Sequence, residues 1–166
     1  MEVDRAISKR RSVRKYANTA PQGGAVTKIL KAGMWAPSGL NNQPWKFRVV
    51  RGPEKDGLAR FTEYGAVIKR APVAVCVFLD KKASYNREKD IMAIGACVQN
   101  MLLKAFGLGL GTCWLGEILN RKEEVRRYLK ADRGNELMAV VVLGYPSGRG
   151  GKGRRRPLKS FIIRQA

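Results

Sequence analysis

Two nearly continuous apolar runs, at 72–79 and 137–145, limit the folds that this chain can adopt. Both runs are rich in valine, which is typical of strands that are buried on both faces of a sheet. Two further segments, an alternating one at 45–51 and a short one at 112–115, also favour strands. Four strands with helical segments between them are compatible with either an α+β or an α/β fold.

The segments between the predicted strands carry helical patterns. Apolar residues at helical spacing predict helices over 3–9 and 25–35, and Pro37 ends the second because proline disfavours a helical residue before it. Further helices are predicted over 54–64 and 90–106. The second of these contains small residues that would allow another backbone to approach closely, either in the core or at a subunit interface.

The composition restricts the chemistry that is open to the chain. Lys and Arg total 33 against 13 Asp and Glu, so the formal net charge is +20 and anionic partners are attracted. Histidine is absent, which excludes Ser-His-Asp and Cys-His catalysis and every histidine-containing metal site. We therefore predict no metal centre.

Chain length and cysteine content indicate the number of domains and the cellular location. The 166 residues are 45% hydrophobic, which is enough for one domain spanning 1–166. The three cysteines lie far apart in apolar segments, so reduced thiols and a cytoplasmic location are expected. No signal peptide and no stretch long enough to span a bilayer is apparent, so no membrane association is predicted.

A basic stretch with the sequence Arg-Arg-Ser-Val-Arg-Lys-Tyr begins at Arg10. Arginine offers a planar fork of donors that matches phosphate oxygens, and serine adds a hydroxyl donor. If Val13 points inward, an extended backbone puts Ser12 and Arg14 together on the opposite face. The stretch is predicted to hold an anion such as a phosphate, although a solvated basic loop has the same composition.

Two other segments are candidates for ligand contact. The loop 37–45, Pro-Ser-Gly-Leu-Asn-Asn-Gln-Pro-Trp, combines a hydroxyl with three amides, which suit the edge of a heterocycle or an ordinary polar turn. The loop 146–157 is rich in glycine and arginine, and three interpretations of it are open. It could bind RNA, supply a second phosphate contact, or be an ordinary solvated loop. RNA is disfavoured because the aromatic residues lie in apolar runs. The strand-like segment 158–163 that follows needs a surface to bury it, such as a sheet edge in another subunit.

In their order and separation, these segments resemble the motifs of the FMN-dependent nitroreductase family over nearly the whole chain. The basic stretch 10–14 is similar to the family's N-terminal phosphate motif. The loop 37–45 is similar to a Pro-Ser-Ser-x-Asn-x-Gln-Pro-Trp motif in which Gly39 replaces the second serine. The segment 109–116 resembles the part that lines the flavin ring, and 154–158 resembles a closing Arg-Lys-Pro-Leu motif.

The resemblance implies an α+β fold with a central, mostly antiparallel sheet flanked by helices. It implies a homodimer with FMN at each subunit interface, to which the loop 37–45 of the other subunit contributes. The C-terminal extension 158–166 would be exchanged as a strand onto the partner's sheet. The residues that the resemblance assigns to FMN are Arg10, Arg11, Ser12, Arg14, Pro37, Ser38, Gly39, Asn41, Gln43, Leu115, Gly116, Arg154, Arg155 and Arg156.

The resemblance also implies an enzyme, in which NADH or NADPH reduces FMN and a nitroaromatic, quinone or flavin then takes the electrons. No side chain needs to act as an acid or base, so no catalytic residue is assigned. Dehalogenation or flavin fragmentation is an alternative, and a nucleic-acid-binding module is a less favoured one. Tyr85, in the short connection between the second strand and the next helix, lies either over the flavin or in an ordinary interface.

Overall fold

The computed structural model describes residues 2–148, 151 and 153–163. Its centre is a four-stranded sheet in the order β1-β2-β4-β3, and every neighbouring pair of strands is antiparallel. The strands are β1 (Trp45–Val50), β2 (Val73–Asp80), β3 (Gly111–Leu115) and β4 (Asn135–Gly144). The predicted α+β fold with an antiparallel sheet is therefore confirmed.

The two long apolar runs form the central pair of strands. Val75 pairs with Val141, so β2 and β4 are aligned along most of their length. Alternate residues of β2 point to opposite faces: Val75 belongs to one hydrophobic core and Cys76 to the other. Burial on both faces explains why these strands are apolar at almost every position.

Helices cover both faces of this sheet. They are α1 (Val3–Lys9), α2 (Ala25–Met34), α3 (Gly52–Gly57), α4 (Gly65–Arg70), α5 (Arg87–Gly107) and α6 (Lys122–Tyr128). Ile29 of α2 and Val98 of α5 pack in the core on one face, and Ile68 of α4 and Val125 of α6 pack in the core on the other. Within the described residues, no helix has the length and apolar character needed to cross a membrane.

The longest helix, α5, begins at a side-chain cap. The side chain of Asn86 accepts a hydrogen bond from the backbone N–H of Lys89, which satisfies a donor that a helix start leaves free. The helix then continues for 21 residues. At a rise of 1.5 Å per residue, its ends are roughly 30 Å apart.

The single helix predicted over 54–64 is wrong, because the structure divides this region. α3 ends at Gly57, Leu58–Phe61 form a 3-10 turn, and α4 is a separate helix that begins only at Gly65. The Tyr128 hydroxyl donates to the backbone carbonyl of Glu54 at 2.9 Å. That carbonyl would otherwise accept the next helical hydrogen bond, and the backbone N–H of Leu58 instead donates to nearer carbonyls.

The segment 158–163, which has a strand-like pattern, forms no strand within this single chain. Leu158–Ser160 form a 3-10 turn, and Ile163 is 94% exposed. A strand needs a neighbour to satisfy its backbone groups, and the described part of the chain offers this segment none. Residues 164–166 of the predicted C-terminal extension lie outside the described residues.

Candidate functional site

The basic stretch runs along the free edge of β3. The backbone N–H of Val13 donates to the carbonyl of Thr112 at 2.8 Å, and Ser12 forms a bridge with the same residue. The side chain of Val13 packs against a hydrophobic core, whereas Ser12 and Arg14 are exposed. The alternation inferred from the sequence is therefore present.

Two guanidinium groups of this stretch, those of Arg10 and Arg14, form no ion pair with the part of the chain that the structure describes. Their positive potential nevertheless reaches β3. Burial raises the pKa of the Cys113 thiol, and the charges of Arg14 and Arg10 act in the opposite direction. An anion beside this edge would meet unpaired cations.

Arg11 differs from its neighbours, because the main chain occupies its guanidinium. Its Nη1 donates to the carbonyls of Ser8 and Arg10, both at 2.7 Å, and so closes the end of α1. The backbone of Gly153 lies against the same guanidinium so closely that a Cβ at residue 153 would overlap it. Arg11 thus joins the basic stretch to the C-terminal glycine-arginine loop.

A cavity of about 210 Å³ opens beside these arginines, between the ends of α1 and α5. Three consecutive cationic side chains line it, and Phe106 and Leu110 supply apolar surface. The cationic residues are Lys9, Arg10 and Arg11. Such a lining suits a ligand with an anionic group on a less polar body.

The loop 37–43 has an unusual backbone. Leu40, Asn41 and Gln43 have φ angles of 54°, 53° and 47°, in the left-handed region that residues with a side chain seldom adopt. Ser38 helps to hold this shape, since its Oγ accepts from the backbone N–H of Gln43 at 3.0 Å. Strained backbone of this kind is concentrated at ligand-binding sites.

Asn42 is the residue in this loop that the sequence analysis missed. Its Nδ2 donates to Oδ1 of Asp90 at 2.8 Å and to the carbonyl of Ala83 at 3.0 Å. Asp90 is fully buried. Burial by itself would raise the pKa of Asp90, but hydrogen bonds from Ser84, Asn42 and two backbone N–H groups outweigh it and lower the pKa. The sequence signal for this contact was Asp90, the one carboxylate in the mostly apolar helix predicted over 90–106.

Tyr85 fills the space beside Gly39. Its hydroxyl lies where the Cβ of any larger residue at position 39 would begin, so a larger residue there would displace the tyrosine side chain. Tyr85 as a whole is 43% exposed, and the Nζ of Lys89 lies 5.5 Å from the centroid of its ring. The family motif has a serine where this chain has Gly39, and the Tyr85 hydroxyl occupies the space of the missing side chain.

The remaining candidate residues lie at the end of β3 and in the C-terminal loop. Leu115 is buried, and Gly116 opens onto free space before the 3-10 turn Glu117–Arg121. The three arginines of the C-terminal loop, Arg154, Arg155 and Arg156, are exposed. Pro37 and Gly39 line a second cavity, with residues of the first half of α5.

One chain brings some of these residues together and keeps others apart. The basic stretch lies beside Phe106, near the C-terminal end of α5, whereas the loop 37–43 is fastened to Asp90 near the N-terminal end. The 16 residues between those points correspond to about 24 Å of helix. The two groups therefore belong to different ends of the molecule.

The comparisons with known proteins agree with the fold. The profile of the nitroreductase family matches residues 7–65 and 53–145. A proposed NADH dehydrogenase/NAD(P)H nitroreductase from Methanothermobacter thermautotrophicus is 36% identical over 150 residues, which cover 89% of this chain and 78% of that protein. An iodotyrosine deiodinase from Thermotoga neapolitana is 28% identical, over 83% of this chain and 85% of that protein.

Among solved structures, the crystal structure of a proposed nitroreductase from Desulfovibrio desulfuricans in complex with FMN is similar to the whole chain. It is 44% identical, has a TM-score of 0.94, and the match covers 100% of this chain and 98% of that one. With the family profile matched over most of its length, the chain belongs to the nitroreductase family.

Proposed function

We propose that this protein is an FMN-dependent oxidoreductase that takes a hydride from NADH or NADPH and passes electrons to a small-molecule acceptor. Membership of the nitroreductase family supports this function, as do the related NAD(P)H nitroreductases. The cofactor is proposed from the related Desulfovibrio structure, which contains FMN. Bound FMN would supply the electron transfer, and the chain would supply binding, orientation and charge.

The contact between Arg11 and Gly153 is the observation on which this proposal rests. It holds Gly153, the residue directly before the three C-terminal arginines, against the basic stretch. Arg154, Arg155 and Arg156 follow directly after this contact. Unpaired guanidinium groups and an adjoining cavity fit the phosphate of FMN.

Each segment has a separate task in the proposed site. Arg10 and the C-terminal arginines would hold the phosphate, and Ser12 would donate to the ribityl chain. Arg14 would lie at the pyrimidine edge of the flavin, where a positive charge favours the anionic reduced form. Leu115 and Gly116 would offer backbone groups to the ring.

The other half of the site would come from a second copy of the chain. Pro37, Ser38, Gly39, Asn41 and Gln43 are proposed to reach the FMN of the partner subunit. Two α5 helices that cross in opposite directions would join the N-terminal end of one to the C-terminal end of the other.

Exposed apolar side chains support this homodimer. Leu40, in the loop 37–43, is 85% exposed, and Trp35 and Met92, which line cavities beside this loop, are 87% and 64% exposed. Large apolar patches on a protein surface mark contact sites. The exposed segment 161–163 would be covered if the extension 158–166 crosses to the partner.

We further propose that 1–166 is one domain that works in the cytoplasm. The sheet carries a hydrophobic core on each of its faces, and α-helices from both halves of the chain contribute to these cores. All three cysteines are buried and free, which suits a reducing compartment.

The proposed acceptors are nitroaromatics, quinones and free flavin. A second candidate, reductive dehalogenation of an aromatic substrate, is favoured by the relative from Thermotoga neapolitana that is an iodotyrosine deiodinase. A panel of nitroaromatic, quinone and haloaromatic acceptors at equal concentration distinguishes these activities.

The absorption spectrum of the purified protein tests the central proposal. We expect flavin absorption bands that bleach when NADH or NADPH is added without oxygen and return with an acceptor. A colourless protein that takes up no FMN during incubation would overturn the proposal.

A further inference from the structure

We propose that Tyr85 and Lys89 select the electron acceptor, favouring a planar aromatic compound that carries an anionic substituent. Tyr85 would form a wall against the aromatic ring, and Lys89 would meet the negative charge. This inference rests on the proposed function, because it assigns the acceptor class for the same site.

The position of Tyr85 follows from its contact with Gly39. The tyrosine hydroxyl occupies the space of the missing side chain, and Gly39 follows Ser38, which is one of the proposed cofactor-binding residues. Gly39 is itself one of those residues, so Tyr85 is in direct contact with the loop 37–43. Tyr85 is 43% exposed, so part of its side chain is open to contact with a ligand.

The tyrosine is held there rigidly. Its backbone N–H donates to Oδ2 of Asp90 at 3.1 Å, and the neighbouring Ser84 hydroxyl donates to the same oxygen at 2.6 Å. The other oxygen of Asp90 accepts from Asn42 in the loop 37–43. One buried carboxylate thus fixes the tyrosine and the loop as a unit, which preserves the geometry of a binding site.

Lys89 provides a cation with room beside it. The Nζ lies 5.5 Å from the centroid of the Tyr85 ring, and Lys89 lines a cavity of about 250 Å³ together with Ser38, Gly39 and Met92. This cavity is a shallow groove that is open to solvent. Within the described residues, no carboxylate forms an ion pair with Lys89, so its charge is available to a ligand.

The Tyr85 ring lies beside the cavity that Lys89 lines, and aromatic surface next to a positive charge suits an aromatic anion. An aromatic carboxylate would place its ring against Tyr85 and its charge toward Lys89. An uncharged aromatic compound of the same size would use only the ring contact, so the two compounds separate the contributions of the two residues.

The test compares 4-nitrobenzoate with nitrobenzene as acceptors for the FMN-loaded enzyme. Lys89→Met is expected to raise the KM for 4-nitrobenzoate by roughly fivefold, as for a partly exposed ion pair, and to leave the KM for nitrobenzene within about twofold. Tyr85→Ala is expected to raise both KM values. Lys82→Met, which removes another exposed lysine of the same connection, serves as the matched control.

The reduction of bound FMN by NADH, followed by stopped-flow absorbance, separates this inference from the proposed function. A protein that binds no FMN would overturn both. If the loaded enzyme reduces both acceptors but Lys89→Met changes their KM values equally, or no more than Lys82→Met does, the acceptor inference alone is wrong.

Discussion

The side-chain amide of Asn42 donates to Oδ1 of Asp90 across 2.8 Å and ties the loop 37–43 to the first turn of α5. The same carboxylate accepts from the Ser84 hydroxyl and from two backbone N–H groups. It therefore links the loop 37–43 to the connection before α5 and to α5 itself. The rigidity of the loop depends on one buried charge that touches none of the proposed ligands.

Replacing this carboxylate with an amide is the first test. Asp90→Asn should lower the free energy of unfolding by about 2–3 kcal/mol, because an amide cannot accept all these hydrogen bonds and leaves buried donors unpaired. Urea unfolding at neutral pH, followed by circular dichroism, measures the change. Glu88→Gln, on the exposed side of the same helical turn, is the control and should stay within about 0.5 kcal/mol.

The second prediction concerns the basic stretch. Arg10→Ala should weaken FMN binding by roughly 10- to 100-fold, because it removes a charge-assisted contact to the phosphate. Lys15→Ala, which removes an exposed cation from the same stretch, should have a much smaller effect. Quenching of flavin fluorescence during titration gives both dissociation constants. Equal and small losses would contradict the role assigned to Arg10.

Glu136 supplies a prediction about pH. It is buried and accepts from Arg87 at 2.8 Å and from Lys122 at 2.6 Å. The hydrogen bond from Arg87, with the contacts from Lys122, outweighs the opposing effect of burial and lowers the pKa of Glu136 from 4.5 to about 2. A lowered folded-state pKa stabilises the protein above pH 4.5, and this contribution is lost as the pH falls toward 2.

Glu136→Gln should accordingly destabilise the protein by about 1–2 kcal/mol at neutral pH. The difference from the wild type should shrink as the pH falls below 4.5, the ordinary pKa of the group. Urea unfolding at a series of pH values between about 7 and 3 follows the trend. A difference that stays constant over this range would show that the charge of Glu136 is not responsible. Glu124→Gln alters only an exposed ion pair and should cause little change at any pH.

Lys55 gives a prediction about stability alone. It is 3% exposed, and its Nζ donates to the carbonyls of Ile68 and Lys69 at 2.8 and 3.0 Å, at the C-terminal end of α4. Lys55→Met keeps the length of the side chain but leaves these carbonyls without their donor. We expect a loss of about 2–3 kcal/mol by thermal or urea unfolding. Lys69→Met, at an exposed position of the same helix, should be nearly neutral.

The sheet was predictable because its information is local. Burial on both faces requires apolar residues at nearly every position of β2 and β4, and the sequence shows such runs directly. The division of the helix predicted over 54–64 was not predictable in this way. It depends on a hydrogen bond from Tyr128 to Glu54, two residues that are 74 positions apart.

The same distinction between local and long-range information applies to the candidate site. The basic stretch and the polar loop are contiguous in the sequence, so their chemistry could be inferred. Asn42 and Asp90 are 48 positions apart, and their contact depends on how the loop and α5 are packed. The sequence shows a glycine where the family motif has serine, but only the fold shows that Tyr85 occupies the space.

The loop 37–43 and the basic stretch lie at opposite ends of α5, and this separation allows two defective variants to complement each other. If each pocket takes one half from each chain, Arg10→Ala and Gln43→Ala damage different halves of it. A mixed dimer of the two variants has one pocket with both defects and one pocket with none. Equal amounts that exchange subunits at random should therefore regain about one quarter of the wild-type pockets, at an FMN concentration too low to fill the pockets of either variant alone. Two defective chains would complement each other only if the pocket belongs to the pair.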